Sequence, residues 1–322
     1  MFIKEGNKFK LINGNPDGIL PNLESAVYTV NLVREMHGMA MYFDRTDRYK
    51  NTNILSVGIF KKINDYIDDF VMPEMFSARK ALNGLHKLGL MFTGDPGTGK
   101  TYLAGQLAQK MVETNNAIAL ITNEFWKYNL TSLVDSVREN QPDKMIVVIL
   151  DEFEKCSNYQ LQDADLLSFL DGAGSRDNIL ILALVNSTSG MKDFLLNRPG
   201  RFEQIYNFDE KDDRVLLEMT KVMTPKEYRD RIDFAEITKQ LIKVNKRTVD
   251  CIKIAIRDAI AEVIYFDNHG AFKSFNSLNT KGKIQKEIGF KVNETEDADF
   301  DYPDEEDVER MLDKLEEIEK GA

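Results

Sequence analysis

No run of apolar residues in this chain approaches the roughly 18 needed to span a bilayer, so no membrane partner is expected. The opening Met1-Phe2-Ile3-Lys4-Glu5 lacks the basic-then-apolar layout of a secretion signal. Only two cysteines occur in 322 residues, Cys156 and Cys251, and their separation suggests no disulfide framework. These absences together lead to the expectation of a reduced, cytoplasmic protein. An excess of one charge is also missing from the body. Fourteen acidic residues against three basic ones between Glu294 and Lys320 carry the whole net charge of −11, which leaves residues 1–293 neutral. A neutral body speaks against a basic coat for nucleic acid, although a local groove is compatible with a zero sum. No internal repeat is visible.

What is present is room for about two domains, at ~100–200 residues each, with ample apolar content for a core. Residues 1–54 read as short strands and turns. Phe2–Lys4 and Lys8–Ile12 flank Glu5-Gly6-Asn7 as a hairpin, and 13–18 is a turn cluster. Val27–Val33 and Met39–Phe43, joined through His37-Gly38, pair as a second hairpin, with a helix over 23–42 as the competing reading. His37 has no Cys or His near it and reads as a turn residue. From Ile54 the period becomes helical, with Phe60, Ile63, Tyr66, Ile67 and Phe70 on one face until Pro73 interrupts. Apolar runs at 88–93, 117–122, 145–150 and 179–185 then alternate with helical stretches, the mark of a parallel sheet covered on both faces. Residues 212–267 read as all-helical, followed by a basic stretch (Lys273, Lys281, Lys283, Lys286) and the acidic tail.

The chemistry concentrates at the ends of these strands. Gly94-Asp95-Pro96-Gly97-Thr98-Gly99-Lys100-Thr101 joins a strand to a helix that continues with Tyr102 and Leu103, the P-loop pattern in its confirming context. The glycines let backbone N–H groups turn inward around phosphate oxygens, and the helix N-terminus adds its positive end. Lys100 reaches outer phosphates as a point charge, and the Thr101 hydroxyl can ligate Mg²⁺. The strand ending at Leu150 delivers Asp151-Glu152 where open α/β sheets place their ligands. Asp151 would hold Mg²⁺ through its water shell, and Glu152 would polarise an attacking water. Asn186 ends the next strand and would position the same water and sense the outermost phosphate.

With Asn197-Arg198-Pro199-Gly200-Arg201-Phe202 the chain resembles an AAA+ ATPase, and within that superfamily the AAA subgroup, nearest in flavour to Bcs-type and bacteriophage members. Gly94–Thr101 resembles the Walker A motif, 146–152 the Walker B motif, and Asn186 the sensor-1 position. Val57-Gly58 resembles the short box lining the adenine pocket. The resemblance implies a P-loop α/β fold: a five-stranded parallel sheet over 55–210, a helical lid over 211–268, a small β-rich region before them (1–54), and a basic linker and acidic, partly helical tail after them (269–322). It implies ATP and Mg²⁺ as cofactors. Arg198 and Arg201 would serve as arginine fingers for a neighbouring subunit, which implies a homo-oligomeric ring, a hexamer by resemblance. A guanidinium beside a transferring phosphoryl is worth about 10³–10⁵ in rate, and arginines so far past the sensor strand are expected to project outward.

Two segments depart from the family pattern. At the start of the lid's third helix stands Asn245-Lys246-Arg247-Thr248 rather than Gly-Ala, and Arg247 reads either as a sensor-2 arginine or as a helix cap. The pore-loop region Glu124-Phe125-Trp126-Lys127-Tyr128 is one residue out of step and lacks the following glycine, so either Trp126 or Tyr128, with Lys127 between them, grips a threaded chain, or Phe125 and Trp126 pack under the next helix. The tail places Val308, Met311, Leu312, Leu315 and Ile318 at helical spacing after a stretch too poor in apolar residues to fold. The expected activity is ATP hydrolysis driving the remodelling or translocation of a macromolecule, protein before nucleic acid. The alternatives are a DNA-associated ATPase of loader type and an assembly that uses nucleotide only to lock subunits.

Overall fold

The four uninterrupted apolar runs become the buried strands of a parallel sheet. The structure, a computed structural model, describes residues 2–5, 8–11, 23–35, 38–50, 53–123, 130–158, 163–171, 177–188, 191, 200–208, 213–243 and 246–266. All of them lie within one compact unit, Met1–Asn279. In chain order the elements are β1 (Phe2–Glu5), β2 (Lys8–Leu11), β3 (Val27–Glu35), β4 (Gly38–Arg45), α1 (Gly58–Val71), α2 (Pro73–Asn83), β5 (Lys87–Thr93) and α3 (Lys100–Asn115). Then follow β6 (Ile118–Thr122), α4 (Leu130–Asn140), β7 (Ile146–Leu150), α5 (Asp163–Asp171), β8 (Ile179–Val185) and β9 (Gln204–Asn207). The helices α6 (Asp213–Met223), α7 (Phe234–Lys243) and α8 (Val249–Phe266) complete the described chain.

Among the described residues the strands form one sheet in the order β1-β2-β4-β3-β6-β7-β8-β5-β9. The five strands β6-β7-β8-β5-β9 are mutually parallel, as the P-loop reading requires. β3 adds a sixth parallel strand, pairing Val27 with Ala119 and Thr29 with Ile121. The two expected hairpins are present as β1–β2 and β3–β4, and the helical alternative for 23–42 does not form. Through β3 these strands continue the sheet. β9 had no signal in the sequence because most of its side chains are exposed.

Period-two alternation sorts the strand residues between two cores. Leu88, Leu90 and Phe92 of β5, with Leu180, Leu182 and Leu184 of β8, face α1, α3 and the C-terminal helices. Met91, Ile146, Val148, Leu150, Ile179 and Ile181 face the other way, against α4, α5, Phe153 and Phe202. Burial on both faces is why these strands read as continuous apolar runs. α1 buries Phe60, Ile63, Ile67 and Phe70 on one stripe, and each such side chain contributes about 1.5–3 kcal/mol. Pro73 forces Met72 into an extended conformation (ψ 139°), which ends α1 and starts α2 with proline at its first turn. Among the described residues no helix is long and apolar enough to cross a membrane.

Candidate functional site

β5 ends at Thr93, and the chain then turns through Gly94, Gly97 and Gly99 at φ 140°, 82° and 102°, conformations that glycine alone enters at low cost. α3 starts at Lys100 without a side-chain cap, which leaves its first backbone N–H groups directed at the loop. Lys100 is buried, and its ammonium donates to the carbonyls of Gly94 (2.5 Å) and Asp95 (3.0 Å). The Thr98 hydroxyl donates to the Asp95 carbonyl at 2.7 Å and tightens the turn.

Asp151 and Glu152 follow β7 and stand opposite. The Thr101 hydroxyl donates to Asp151 Oδ2 at 3.2 Å, and the backbone N–H of Glu152 donates to Oδ1 at 3.0 Å. Burial pushes the Asp151 carboxyl above its usual range, with those two hydrogen bonds opposing it. A half-buried carboxylate beside a hydroxyl and a glycine-rich turn is a donor set that suits Mg²⁺ brought in on a phosphate. Glu152 is held at φ 53°, a left-handed conformation that costs a side-chain-bearing residue roughly 1–2 kcal/mol. Its carboxylate is paired with the ammonium of Lys155. Asn186, at the tip of β8, donates from its amide to Glu154 Oε1 at 2.8 Å and from its backbone N–H to Oε2 at 3.3 Å.

These residues share one cleft of about 420 Å³. Pro96, Gly97, Gly99, Lys100, Thr101 and Tyr102 line one wall, and Asp151, Glu152 and Asn186 another. The first turn of α8 closes a third side with Asp250 and Lys253. The Asp250 backbone N–H donates to the Gly97 carbonyl at 3.3 Å, and Lys253 sits 4.2 Å from the Tyr102 ring centroid. Arg48 and Tyr49, from the segment after β4, complete the lining.

Other residues singled out from the sequence stand elsewhere. Thr98 is buried behind the loop, and Asp95 is exposed on it. Val57 is buried, and Gly58 lies against Val215 of α6; neither lines the cleft. Arg247 is paired with Asp213 at 2.5 Å and does not line the cleft either. Arg201 differs from the expectation that it projects outward. It is 2% exposed, and its guanidinium makes a two-pronged pair with Asp171 of α5, Nε to Oδ1 at 2.7 Å and a terminal nitrogen to Oδ2 at 3.0 Å. A buried guanidinium needs a carboxylate partner, and Asp171 supplies it within the same chain. Arg198, Trp126, Lys127, Tyr128, the basic stretch and the acidic tail lie outside the described residues.

Sequence reasoning missed Arg48, Tyr49, Glu154, Asp250 and Lys253. Glu154 carried a faint signal, standing two residues after Glu152. Arg48 carried none, since nothing local marks a residue that reaches the P-loop from about 50 positions upstream.

Residues 90–210 match the family described as ATPase family associated with various cellular activities (AAA). The chain is 28% identical over 168 residues to the proteasome-activating nucleotidase of Methanococcus maripaludis, a match spanning 47% of this chain and 40% of that protein. It is 28% identical over 196 residues to the peroxisomal ATPase PEX6 of Debaryomyces hansenii, spanning 52% of this chain and 15% of that protein. To the human ATPase family AAA domain-containing protein 2 it is 25% identical over 203 residues, 57% of this chain and 14% of that protein. The chain thus matches well under two thirds of the length of each of these relatives.

Proposed function

The chain carries an AAA ATPase domain, and on that premise we propose that it binds Mg-ATP in this cleft, hydrolyses the outer phosphoanhydride, and couples turnover to remodelling of a protein. The observation that carries the reading is the convergence of Lys100, Thr101, Asp151, Glu152 and Asn186 on one cleft at the carboxyl ends of parallel strands.

Each residue has a role that follows from its chemistry. The P-loop N–H groups and the N-terminus of α3 hold the phosphates, and Lys100 leaves the loop carbonyls to meet the outer ones. Thr101 and Asp151 would hold Mg²⁺, which when bound neutralises charge on the phosphate oxygens. Glu152 takes a proton from the attacking water once its carboxylate leaves Lys155. With one Asn186 amide N–H donated to Glu154, the side-chain carbonyl oxygen can accept a hydrogen bond from that water. The water oxygen bonds to the terminal phosphorus, the bridging P–O bond breaks, and ADP and phosphate leave.

Arg198 acts on the site of a neighbouring copy in a ring, whereas the buried Arg201 is paired with Asp171 of its own chain. The name of the proteasome-activating relative supports a protein as substrate, as does the neutral charge of residues 1–293. The test is Glu152→Gln. This variant is expected to bind ATP, to lose about 10²–10⁴ in turnover, and to accumulate as an ATP-bound oligomer. Undiminished hydrolysis would remove Glu152 from its role. Stimulation of wild-type turnover by DNA but not by an unfolded protein would overturn the substrate class.

A further inference from the structure

Arg48 reaches the cleft from outside the P-loop strands and helices. It follows β4, in the segment that crosses to α1, yet it shares the cleft with Lys100, Thr101, Asp151 and Glu152. We propose that Arg48 binds the outermost phosphate of the nucleotide from within its own chain, so that the cleft holds a nucleoside triphosphate more tightly than the diphosphate. This inference rests on the reading of the cleft as a nucleoside-triphosphate site.

Four observations lead to it. First, the backbone that carries Arg48 is fixed to the P-loop helix. The neighbouring Tyr49 is 5% exposed, and its ring lies flat on α3 at Gly105, where a Cβ would stand 2.3 Å from two ring carbons. Only glycine permits that approach. Second, Arg48 stands over Tyr49: its guanidinium lies 5.8 Å from the ring centroid, a cation–π contact that holds it beside the cleft. Third, the pair lines the cleft together with Asp151, Glu152 and Asn186, the residues read above as acting on the outermost phosphate. The Tyr49 hydroxyl feels the charge of Asp151, whereas Tyr102, Lys253 and Asp250 lie on the wall formed with α8. Fourth, Arg48 is uncommitted among the described residues. The adjacent Asp47 is engaged by Lys50 (3.3 Å) and Arg45 (3.9 Å), and Arg48 makes no ion pair with a described residue. A planar guanidinium with several donors matches phosphate oxygens better than an ammonium does. The cleft also has a place for its charge, since among the residues lining it three are acidic (Asp151, Glu152 and Asp250) and only Lys100 and Lys253 are basic besides Arg48.

The experiment compares binding of ATP and ADP, with magnesium, to full-length wild type, Arg48→Ala, Arg48→Lys and Lys100→Ala. Arg48→Ala is expected to weaken ATP at least about tenfold while ADP stays within about twofold, because a lost charge-assisted contact to the third phosphate is felt by the triphosphate alone. Arg48→Lys is expected to fall between, keeping the charge and losing the fork. Thermal melting of Arg48→Ala should match wild type, since the side chain is exposed. Unchanged ATP binding by Arg48→Ala, or equal weakening of both nucleotides, overturns the proposal. If Lys100→Ala loses ATP while Arg48→Ala keeps it, only the role of Arg48 fails. If wild type binds neither nucleotide, or Lys100→Ala binds like wild type, the reading of the cleft itself fails.

Discussion

Asn186 is held through two hydrogen bonds to a single carboxylate, that of Glu154, and this fixes both its rotamer and which end of its amide faces the cleft. Glu154→Ala should therefore lower kcat by about tenfold or more and leave ATP affinity unchanged, because it frees the amide without touching the phosphates. Steady-state kinetics beside a binding titration check this; a matched loss in both would make Glu154 structural. His86 is a second residue whose surroundings set its chemistry. It is 1% exposed and stacked on Phe70 at 4.0 Å, with Phe76 on it at 4.4 Å. Burial holds its pKa down to about 4, and the charge of Arg79 pushes the same way. The unfolded chain takes up a proton near pH 6.5 that the folded chain refuses until about pH 4. Stability is then full above pH 6.5 and falls as pH drops through that window, by up to about 3 kcal/mol. Melting curves of wild type and His86→Phe at pH 7 and pH 4.5 should show a smaller acid loss in the variant.

Among the elements, α3 carries both the P-loop lysine and the glycine on which Tyr49 rests. Gly105→Ala would raise helix propensity by about 1 kcal/mol on its own. Here it should instead destabilise the protein by about 1–3 kcal/mol, since the new methyl collides with the Tyr49 ring. Adding Tyr49→Ala in the Gly105→Ala background should recover part of the loss, and denaturant midpoints of the four proteins measure that coupling. The elements most legible in the sequence were those with strong local signals. β5, β6, β7 and β8 are buried on both faces and so appear as unbroken apolar runs, and α1 shows its stripe before a proline. Lys100, Thr101, Asp151, Glu152 and Asn186 were legible because strand ends deliver them. β9 was not, as an edge strand paired only with β5, with Ile205 left exposed. The pairing of β3 with β6 was hidden for another reason: it joins segments about 90 residues apart and leaves no local pattern. The inward aim of Arg201 was equally hidden. A motif gives a residue's place along the chain and says nothing of the carboxylate waiting across the fold.

For the whole molecule, the proposed function gives the two arginines of one motif different tasks. Arg201→Ala removes a buried guanidinium and its two charge-assisted hydrogen bonds to Asp171 and should cost about 1.5–3 kcal/mol of stability, read as a lowered Tm. Arg198→Ala should melt like wild type and yet fail to turn over ATP. If that guanidinium serves a neighbour, mixing Arg198→Ala subunits with Lys100→Ala subunits should restore part of the activity that neither has alone. Mixtures that stay inactive would count against sharing between copies. A last consequence follows from the contact of α8 with the phosphate turn, where the Asp250 N–H meets the Gly97 carbonyl and Val249 crowds Gly99. α8 cannot swing without tugging the backbone of the P-loop turn. Under the proposed function, movement of that arm and the hold on nucleotide become two ends of a single lever, and load applied to one should be read out as slower release at the other.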